Sequence, residues 1–304
     1  MNDGVLHPLI GYGTYKVGYI PPSASSAGGV AASLASDKET KDIFKNALDV
    51  GYRFFDCAQF YNNEKVVGEA LKESGVPRSE LFLASKVWTD NIAAGEEAIR
   101  NQFTKTLQDL QTDYLDLYLI HWPVPTKHIQ AYKVLESLKQ EGKVRSIGLS
   151  NYTIEDYEEL KPEMRVKPTI NQIEVNPFLY RRKTIEYFQK EGIEIQAYRA
   201  LRQGQQMNHP LLMELSKKYH KTPSQVLGRW CIQKNIIFIP KTVSKERMVQ
   251  NLDVLGFTLE DSDIALLDAL TTESNLVAFG ELYKKCVTRD TPIVDGIKTN
   301  ITIH

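Results

Sequence analysis

The feature that most constrains the fold of this 304-residue sequence is the repeated alternation of two patterns. Short apolar runs bounded by turn residues predict strands, and the segments between them carry apolar residues at the spacing of amphipathic helices. The alternation occurs eight times. The predicted strands are residues 9–13, 52–56, 81–86, 114–121, 144–150, 169–175, 194–198 and 236–239. Eight βα units in about 250 residues predict a (β/α)8 barrel, a single domain over residues 1–304.

A doubly wound open sheet is the alternative interpretation of the same alternation. Such a sheet usually carries a third glycine in the turn after its first strand, where the chain approaches dinucleotide phosphates. Here Gly11 and Gly13 are followed by Thr14 and Tyr15, and the third glycine is missing. The barrel is therefore the favoured fold.

Two segments fall outside the alternation. Residues 17–36 include a stretch rich in Ser, Ala and Gly, which is typical of a flexible surface insertion; a flap over a site is the alternative. At the other end, an extra helix is predicted at residues 262–270, and residues 271–304 follow it as a C-terminal tail.

Charge and apolar patterning limit the class of protein. The formal net charge of −1 provides no general attraction to nucleic acid or to an acidic membrane. No segment approaches the roughly 18 uninterrupted apolar residues that a membrane span needs, and no basic leader begins the chain. Three widely spaced cysteines fit a reducing compartment. We expect a cytoplasmic protein, a monomer, without nucleic-acid or membrane partners.

Polar residues end several of the predicted strands, and the carboxyl ends of barrel strands meet at one rim. Asp56 ends the second strand and Tyr61 follows it, Lys86 ends the third, and His121 ends the fourth. Taken singly, each has a structural explanation: Asp56 and Lys86 could form a rim ion pair, and His121 could be an ordinary buried histidine. Together they predict a candidate site.

These four side chains are suited to delivering a proton to a carbonyl oxygen. A neighbouring ammonium lowers the pKa of a phenol, so we expect Lys86 to lower that of Tyr61 while Asp56 keeps Lys86 charged. His121 can orient the carbonyl. The set lacks a hydride, and the histidines show no metal-ligand spacing, so a nicotinamide cofactor is expected.

The turn after the last predicted strand offers a place for a phosphate. It leads into a helix, whose N-terminus favours anions, and Lys241 and Arg247 add two cations. The segment predicts a site for the extra monophosphate of NADPH. A solvated basic turn is the alternative.

Several motifs resemble those of the aldo-keto reductase superfamily over about residues 4–270. The matching segments are GYGTYK (11–16), GYRFFDCAQFYNNEKVVGEAL (51–71), LFLASKVW (81–88), YLDLYLIHWPVP (114–125), GKVRSIGLSNY (142–152), NQIEVNP (171–177) and IPKTVSKERMVQN (239–251). The short loops after the fourth and seventh strands are similar to those of the microbial and protist branch of the family. This branch includes diketogluconate reductase and prostaglandin F synthase types.

The resemblance implies NADPH-dependent reduction of aldehydes and some ketones. It implies that Tyr61 donates the proton, that Lys86 and Asp56 tune it, and that His121 orients the small-molecule carbonyl substrate. Implied cofactor contacts are Gly13, Thr14, Tyr15, Asp56, Ser150, Asn151, Gln172, Tyr198, Lys241, Thr242, Val243, Arg247, Gln250 and Asn251. Implied substrate contacts are Tyr15, Trp88, His121 and Trp122. No metal is implied.

The sequence departs from the family pattern at several places. Arg199-Ala200-Leu201 stands where Ser-Pro-Leu is usual, Tyr15 replaces a usual tryptophan, and the insertion and the tail do not match. Two rival functions remain open: an NADPH-binding regulatory subunit with slow turnover, and a barrel lyase that uses Lys86 as a Schiff base.

Overall fold

The computed structural model describes residues 1–24, 30–298 and 303–304. Eight parallel strands form the main sheet in the order β1-β4-β5-β6-β7-β8-β9-β10, and β2 and β3 form a separate antiparallel pair. The strands are β1 (Tyr12–Gly13), β2 (Tyr19–Ile20), β3 (Ala32–Ser33), β4 (Phe54–Asp56), β5 (Phe82–Val87), β6 (Leu115–Ile120), β7 (Val144–Ser150), β8 (Ile170–Glu174), β9 (Glu194–Tyr198) and β10 (Ile236–Phe238).

The first and last strands of the sheet meet, which closes it into a barrel. Ile10 forms a parallel bridge with Phe238. The backbone N–H of Gly11 donates to Phe238 O, and that of Gly13 donates to Pro240 O, each at 2.9 Å. A side chain at Gly11 would meet the Phe54 ring at 2.3 Å, so the closure requires glycine there. The predicted (β/α)8 barrel is confirmed.

Helices alternate with the strands along the chain, and further helices follow the last strand. They are α1 (Asp37–Asp49), α2 (Glu64–Glu73), α3 (Thr89–Ala94), α4 (Glu96–Leu110), α5 (His128–Gln140), α6 (Ile154–Leu160), α7 (Arg182–Lys190), α8 (Pro210–Tyr219), α9 (Pro223–Gln233), α10 (Lys245–Leu252), α11 (Asp261–Asp268) and α12 (Glu273–Val287). None of those within the described ranges is long and apolar enough to cross a membrane.

The core has two layers. A large apolar cluster fills the space between the sheet and the helices, and a smaller one, which includes Phe54, Phe82 and Leu117, fills the inside of the barrel. His7 packs against the smaller cluster, with its ring centroid 4.3 Å from that of Phe82 and 4.8 Å from that of Phe54. The N-terminal segment thus covers the amino ends of these strands, and the opposite rim is left for the site.

The tail predicted at residues 271–304 contains a helix, α12, that the sequence patterns did not indicate. Its residues Phe279, Tyr283 and Val287 recur every fourth position and pack with Trp88 and Trp122. The Tyr283 hydroxyl donates to Asp156 at 2.6 Å. The helix α12 covers the carboxyl ends of the strands and does not connect two strands. It is therefore not part of the eightfold alternation of strands and helices.

The insertion predicted at residues 17–36 contains the β2–β3 pair, in which Tyr19 faces Ser33 and Ile20 faces Ala32. Ser23 donates to Asp290, beyond the end of α12, at 2.9 Å. The centre of the expected flexible stretch, residues 25–29, lies outside the described residues.

Candidate active site

Lys86 joins Asp56 and Tyr61 at the rim of the barrel. Asp56 ends β4, and a single 3₁₀ turn, Gln59–Tyr61, carries the phenol back over that strand. On β5, Ala84 is in register with Asp56, so Lys86 lies two residues nearer the rim on the same face. The Lys86 Nζ donates to Asp56 Oδ1 at 2.8 Å and to the Tyr61 hydroxyl at 3.1 Å. The lysine side chain is fully buried.

The expected lowering of the Tyr61 pKa does not appear as a net shift in this structure. Burial, followed by the negative charge of Asp56, raises the pKa of Tyr61 well above its ordinary value. Burial decides the direction of the shift because it penalises the charged phenolate, and the negative charge of Asp56 adds to that penalty. The phenol therefore stays protonated through neutral pH.

His121 follows β6 and faces the phenol. Its ring centroid lies 5.9 Å from that of Tyr61 and 4.8 Å from that of Trp88. Burial, and then the positive charge of Lys86, lowers its pKa well below the ordinary value, so the imidazole is neutral. A neutral imidazole has one N–H to donate. Among the described residues, Nδ1 has no hydrogen-bond partner.

A group of hydrogen-bonded polar side chains extends the site across β7, β8 and β9. Ser150 Oγ donates to Gln172 O at 2.9 Å, and Asn151 Nδ2 donates to His121 O at 3.0 Å. The Tyr198 hydroxyl donates to Asn151 Oδ1 at 2.7 Å. Asn151 has a left-handed backbone, with φ of 61°, which turns its amide into this group.

Gln196 belongs to the site although no sequence motif singles it out. The Nε2 of Gln172 donates to Asp56 Oδ1 at 2.8 Å and to Gln196 Oε1 at 2.8 Å. Gln196 Nε2 lies 2.6 Å from His7 Nε2. The strand register that pairs Gln172 with Gln196 brings the two amides together, and this register becomes visible only once β8 and β9 are placed side by side.

The turn between β10 and α10 carries the predicted phosphate site. Ser244 caps α10, because its Oγ accepts from Arg247 N at 3.4 Å. Burial, and then the positive charge of Lys16, lowers the pKa of Lys241. Within the described part of the chain, no acidic group pairs with Lys16, Lys241 or Arg247. A group of unpaired cations of this kind fits an anionic ligand.

These parts surround one cavity of about 1050 Å³. Its wall includes every predicted site residue except Thr14 and Lys86. Thr14 lies behind the wall because its hydroxyl donates to Asp56 O at 3.0 Å and its carbonyl accepts from Asn63 at 2.9 Å. Lys86 is also behind the wall, where it donates to two residues that line the cavity, Asp56 and Tyr61. Wall residues that the motif analysis did not assign include Lys16, Phe60, Arg199, Gln203, Leu282, Cys286 and Arg289.

The cavity fits a dinucleotide with an extra phosphate. The unpaired cations would meet phosphates, and Asn251 Oδ1, buried on the wall without a partner among the described residues, offers an acceptor for an amino group. Gln172, with both amide hydrogens used, offers Oε1 as an acceptor for a carboxamide. The structure places no group of three or more His, Cys, Asp or Glu in its described ranges where it could hold a metal.

The fold and the site define a barrel enzyme, with a buried phenol, ammonium, carboxylate and imidazole around a deep cavity at the carboxyl ends of the strands. The sequence model of the aldo/keto reductase family matches residues 10–272. The chain belongs to the aldo/keto reductase family and is an oxidoreductase.

The chain is similar to proteins from distant organisms. It is 36% identical to the glyoxal reductase of Bacillus subtilis, over 91% of this chain and 93% of that protein. It is 36% identical to a 9,11-endoperoxide prostaglandin H2 reductase of Trypanosoma cruzi, over 78% of this chain and 84% of that protein. A Bombyx mori aldo-keto reductase solved with NADP has a TM-score of 0.78 and 30% identity, covering 89% of this chain and 91% of that one.

Proposed function

We propose that this protein uses NADPH to reduce aldehydes and some ketones to alcohols. The observation that carries the proposal is the contact of Lys86 Nζ with both Asp56, at 2.8 Å, and the Tyr61 hydroxyl, at 3.1 Å, beside a neutral His121. The names of the relatives support it, since one is a glyoxal reductase and another family member was solved with NADP.

The cofactor would lie along the cavity wall from the β10–α10 turn to the centre of the rim. Lys241, Thr242 and Arg247, with Val243 between them, would hold the 2′-phosphate, and Gln250 and Asn251 the adenine. Ser150, Asn151 and Gln172 would hold the nicotinamide carboxamide, Tyr198 would stack on its ring, and Gly13, Tyr15 and Asp56 would complete the wall. When bound, NADPH supplies the hydride from C4 of its nicotinamide.

Tyr61 would give the proton that balances the hydride. Because the Lys86 ammonium donates to the phenol oxygen, the hydrogen of Tyr61 is free to point into the cavity. The high pKa of Tyr61 keeps that hydrogen in place until the carbonyl oxygen becomes basic. After the transfer the phenolate oxygen lies 3.1 Å from the ammonium, which offsets its charge. The products are an alcohol and the oxidised cofactor.

His121 and the aromatic side chains would position the substrate. The single N–H of the neutral imidazole can donate to the carbonyl oxygen that Tyr61 protonates. Trp88 stacks on Phe60 with ring centroids 3.9 Å apart, and Trp122 is also on the wall. These rings exclude water from the reacting carbonyl and offer apolar surface to the rest of the molecule.

We also infer a place in the microbial and protist branch of the family. The similarity to the Trypanosoma cruzi prostaglandin H2 reductase supports this, as do the short loops after β6 and β9.

The test is a measurement of NADPH consumption with a panel of carbonyl compounds that includes methylglyoxal and 4-nitrobenzaldehyde. The near-ultraviolet absorbance of NADPH reports its consumption. We expect multiple turnovers with several aldehydes and little reaction with NADH. Absence of turnover across the whole panel, with tight NADPH binding retained, would instead favour a cofactor-binding regulatory subunit. Borohydride trapping of Lys86 with a carbonyl compound would favour a Schiff-base lyase.

A further inference from the structure

A buried phenol on β1, Tyr12, contacts the turn between β10 and α10. The side chain of Tyr12 is fully buried, and its hydroxyl donates to the backbone carbonyl of Thr242 at 2.5 Å. Burial raises the pKa of Tyr12 well above its ordinary value, so the phenol keeps the proton that it donates. The proposed reaction does not use this hydroxyl, although Thr242 belongs to the proposed 2′-phosphate site.

The ring of Tyr12 has little freedom to move, because other aromatic side chains surround it. The neighbouring ring centroids lie 5.3, 5.9 and 6.0 Å from its own and belong, in that order, to Tyr52, Phe55 and Phe44. The next residue of β1, Gly13, donates its backbone N–H to Pro240 O at 2.9 Å. The turn is therefore bound to β1 at two points, Pro240 and Thr242.

The contact with Tyr12 sets the direction of the peptide group that joins Thr242 to Val243. None of the described peptide bonds is cis, and the C=O and N–H of a trans peptide point in opposite directions. Since the Thr242 carbonyl faces Tyr12, the N–H of Val243 points away from β1. Val243 lines the cavity, and no backbone carbonyl in the described ranges accepts from its N–H. This N–H is available to a ligand.

The surroundings of the Val243 N–H suit a phosphate oxygen. Lys241 and Arg247 line the cavity on either side of it in the sequence. The next N–H of the turn is already used, because Ser244 donates to Thr242 Oγ1 at 3.2 Å. A free backbone N–H close to the start of a helix and beside two cations is a favourable place for an anion.

We propose that Tyr12 is a positioning residue for recognition of the 2′-phosphate of NADPH. Its hydroxyl holds the peptide between Thr242 and Val243 so that the Val243 N–H donates to a phosphate oxygen. Without the hydroxyl this peptide is free to rotate, and the phosphate loses that donor. NADH has no 2′-phosphate and gains nothing from the contact. The inference rests on the proposed use of NADPH.

The first test is Tyr12→Phe, which removes one oxygen atom and keeps the ring. The Kd values of NADPH and NADH are measured by titration of cofactor fluorescence. Partial loss of one hydrogen bond to a charged group predicts that the preference for NADPH falls about three- to tenfold, while the Kd of NADH changes less than about twofold. Adenosine 2′,5′-bisphosphate and 5′-AMP, which lack the nicotinamide, should show the same fall. A fall of less than about twofold overturns the inference.

The matched control is Tyr132→Phe, the same change at another fully buried phenol. The Tyr132 hydroxyl also donates to a backbone carbonyl, that of Val166 at 3.0 Å, and neither residue lines the cavity. We expect Tyr132→Phe to keep the full preference for NADPH. An equal fall in both variants would mean that losing any buried hydroxyl loosens the cofactor site, and Tyr12 would have no special role.

The second test alters the same peptide from its other side and does not depend on the folding of Tyr12→Phe. Val243→Pro removes the N–H, whereas Val243→Ala keeps it, and half of the Val243 side chain is exposed. We expect the preference for NADPH to be about three- to tenfold lower in Val243→Pro than in Val243→Ala. Equal preferences in these two variants would refute the contact between the N–H and the phosphate.

Combining the two changes shows whether Tyr12 acts through this peptide. Residues that act through one shared contact have effects that do not add. Tyr12→Phe should therefore lower the preference for NADPH no further when Val243 is already Pro. A further fall as large as the one that Tyr12→Phe causes alone would show that the hydroxyl acts by another route, against the inference.

These measurements need no turnover. If the protein prefers NADPH but reduces none of the aldehydes, the proposed carbonyl reduction fails, and the Kd ratios still decide the role of Tyr12. If the unaltered protein binds NADPH and NADH equally, the inference about Tyr12 is wrong even where aldehydes are reduced.

Discussion

The side-chain amide of Gln172 donates from Nε2 to Oδ1 of Asp56 at 2.8 Å. A carboxylate can only accept, so this contact fixes which end of the amide faces Asp56. The other hydrogen of the same nitrogen goes to Gln196 Oε1 at 2.8 Å. Gln172 Oε1 is thereby left as the acceptor on the cavity wall. Asp56, which holds Lys86, and Gln172, the residue proposed to hold the carboxamide, are thus parts of one arrangement.

The orientation of this arrangement is also set from the other end of the barrel. His7 Nδ1 lies 2.6 Å from Pro8 O, a carbonyl that can only accept, so Nδ1 carries the hydrogen. Burial lowers the pKa of His7 to about 4, which keeps the ring neutral at neutral pH and makes Nε2 an acceptor. Gln196 must then donate to His7 and turn its Oε1 towards Gln172. The contact with Asp56 at one end and the contact with His7 at the other thus require the same orientations of the Gln172 and Gln196 amides.

Replacing Gln196 by Leu should weaken recognition of the nicotinamide carboxamide, although Gln196 itself is not proposed to contact the cofactor. The change frees one hydrogen of Gln172 and lets its amide rotate. The measurement is the Kd of NADPH relative to that of its 3-acetylpyridine analogue, which has no amide N–H. We expect the unaltered protein to prefer NADPH by about three- to tenfold, the range of one hydrogen bond, and Gln196→Leu to lose most of that preference.

A suitable control for Gln196→Leu is Gln102→Leu, the same change on the outer helix α4, where the amide donates to Thr106 at 3.2 Å. It should leave the cofactor preference as it was. If Gln196→Leu also kept the full preference, the proposed orientation of Gln172 by Gln196 would be wrong.

The barrel and the cluster of Tyr61 with Asp56, Lys86 and His121 could be predicted because their signals are local. Each strand is a short apolar run. Asp56 ends β4, Lys86 is the last but one residue of β5 and His121 follows β6, so barrel topology alone brings them to one rim. The positions of the family motifs predict the same barrel and the same site residues. Apart from the strand order of the barrel, these predictions need no contacts between residues that are far apart in the chain.

Other parts of the site depend on contacts that no local pattern encodes. The direction of the Tyr61 pKa shift follows from burial and from the negative charge of Asp56. The contact between His7 and Gln196 joins residues 189 positions apart. Arg289 enters the cavity because α12 packs across the barrel, and the tail lacks the family motifs. These are properties of packing and electrostatics that become visible only in the folded chain.

Replacing Tyr61 by Phe should lower kcat by at least about 100-fold, because positioned proton donors contribute roughly 10²–10⁴ to rate. The ring packing with Tyr15, at 5.0 Å between centroids, would remain, so the Kd of NADPH should change less than about twofold. Steady-state turnover and cofactor fluorescence titration measure the two effects. Tyr132→Phe removes a hydroxyl that donates to Val166 O at 3.0 Å, between α5 and the segment that precedes β8, and should retain normal turnover. Comparable turnover in both variants would refute the donor assignment.

Replacing Arg247 by Ala should weaken NADPH by about 1–3 kcal/mol and NADH by much less, since only NADPH has the 2′-phosphate. Arg247 lines the cavity in the first turn of α10. Isothermal titration with both cofactors gives the difference directly. Arg100→Ala, which removes a surface arginine paired with Glu96 and Glu141 on the outside of the barrel, is the matched control. Equal weakening of both cofactors in Arg247→Ala would place the 2′-phosphate elsewhere.

Glu64 gives the protein a pH-dependent stability that is separate from catalysis. It begins α2, and its buried carboxyl accepts from Ser85 at 2.5 Å and from Thr106 at 2.9 Å. Burial raises its pKa from 4.5 to about 7. Between these values the folded protein binds more protons at this site than the unfolded chain. The contribution of Glu64 to stability is therefore fully present below about pH 4.5 and is lost as the pH rises through 7.

Replacing Glu64 by Gln should remove this dependence, because the amide is neutral at every pH. At 1.36 kcal/mol per pKa unit, the shift corresponds to about 3 kcal/mol, so the free energy of unfolding of Glu64→Gln relative to the unaltered protein should increase by about this amount between pH 4.5 and 8. Urea unfolding at pH 5 and pH 8 measures the difference. Glu69→Gln, on the partly exposed side of α2, where Glu69 lies 3.7 Å from Lys41, should show no such increase. A constant difference between Glu64→Gln and the unaltered protein across this pH range would mean that Glu64 titrates alike in the folded and unfolded chain.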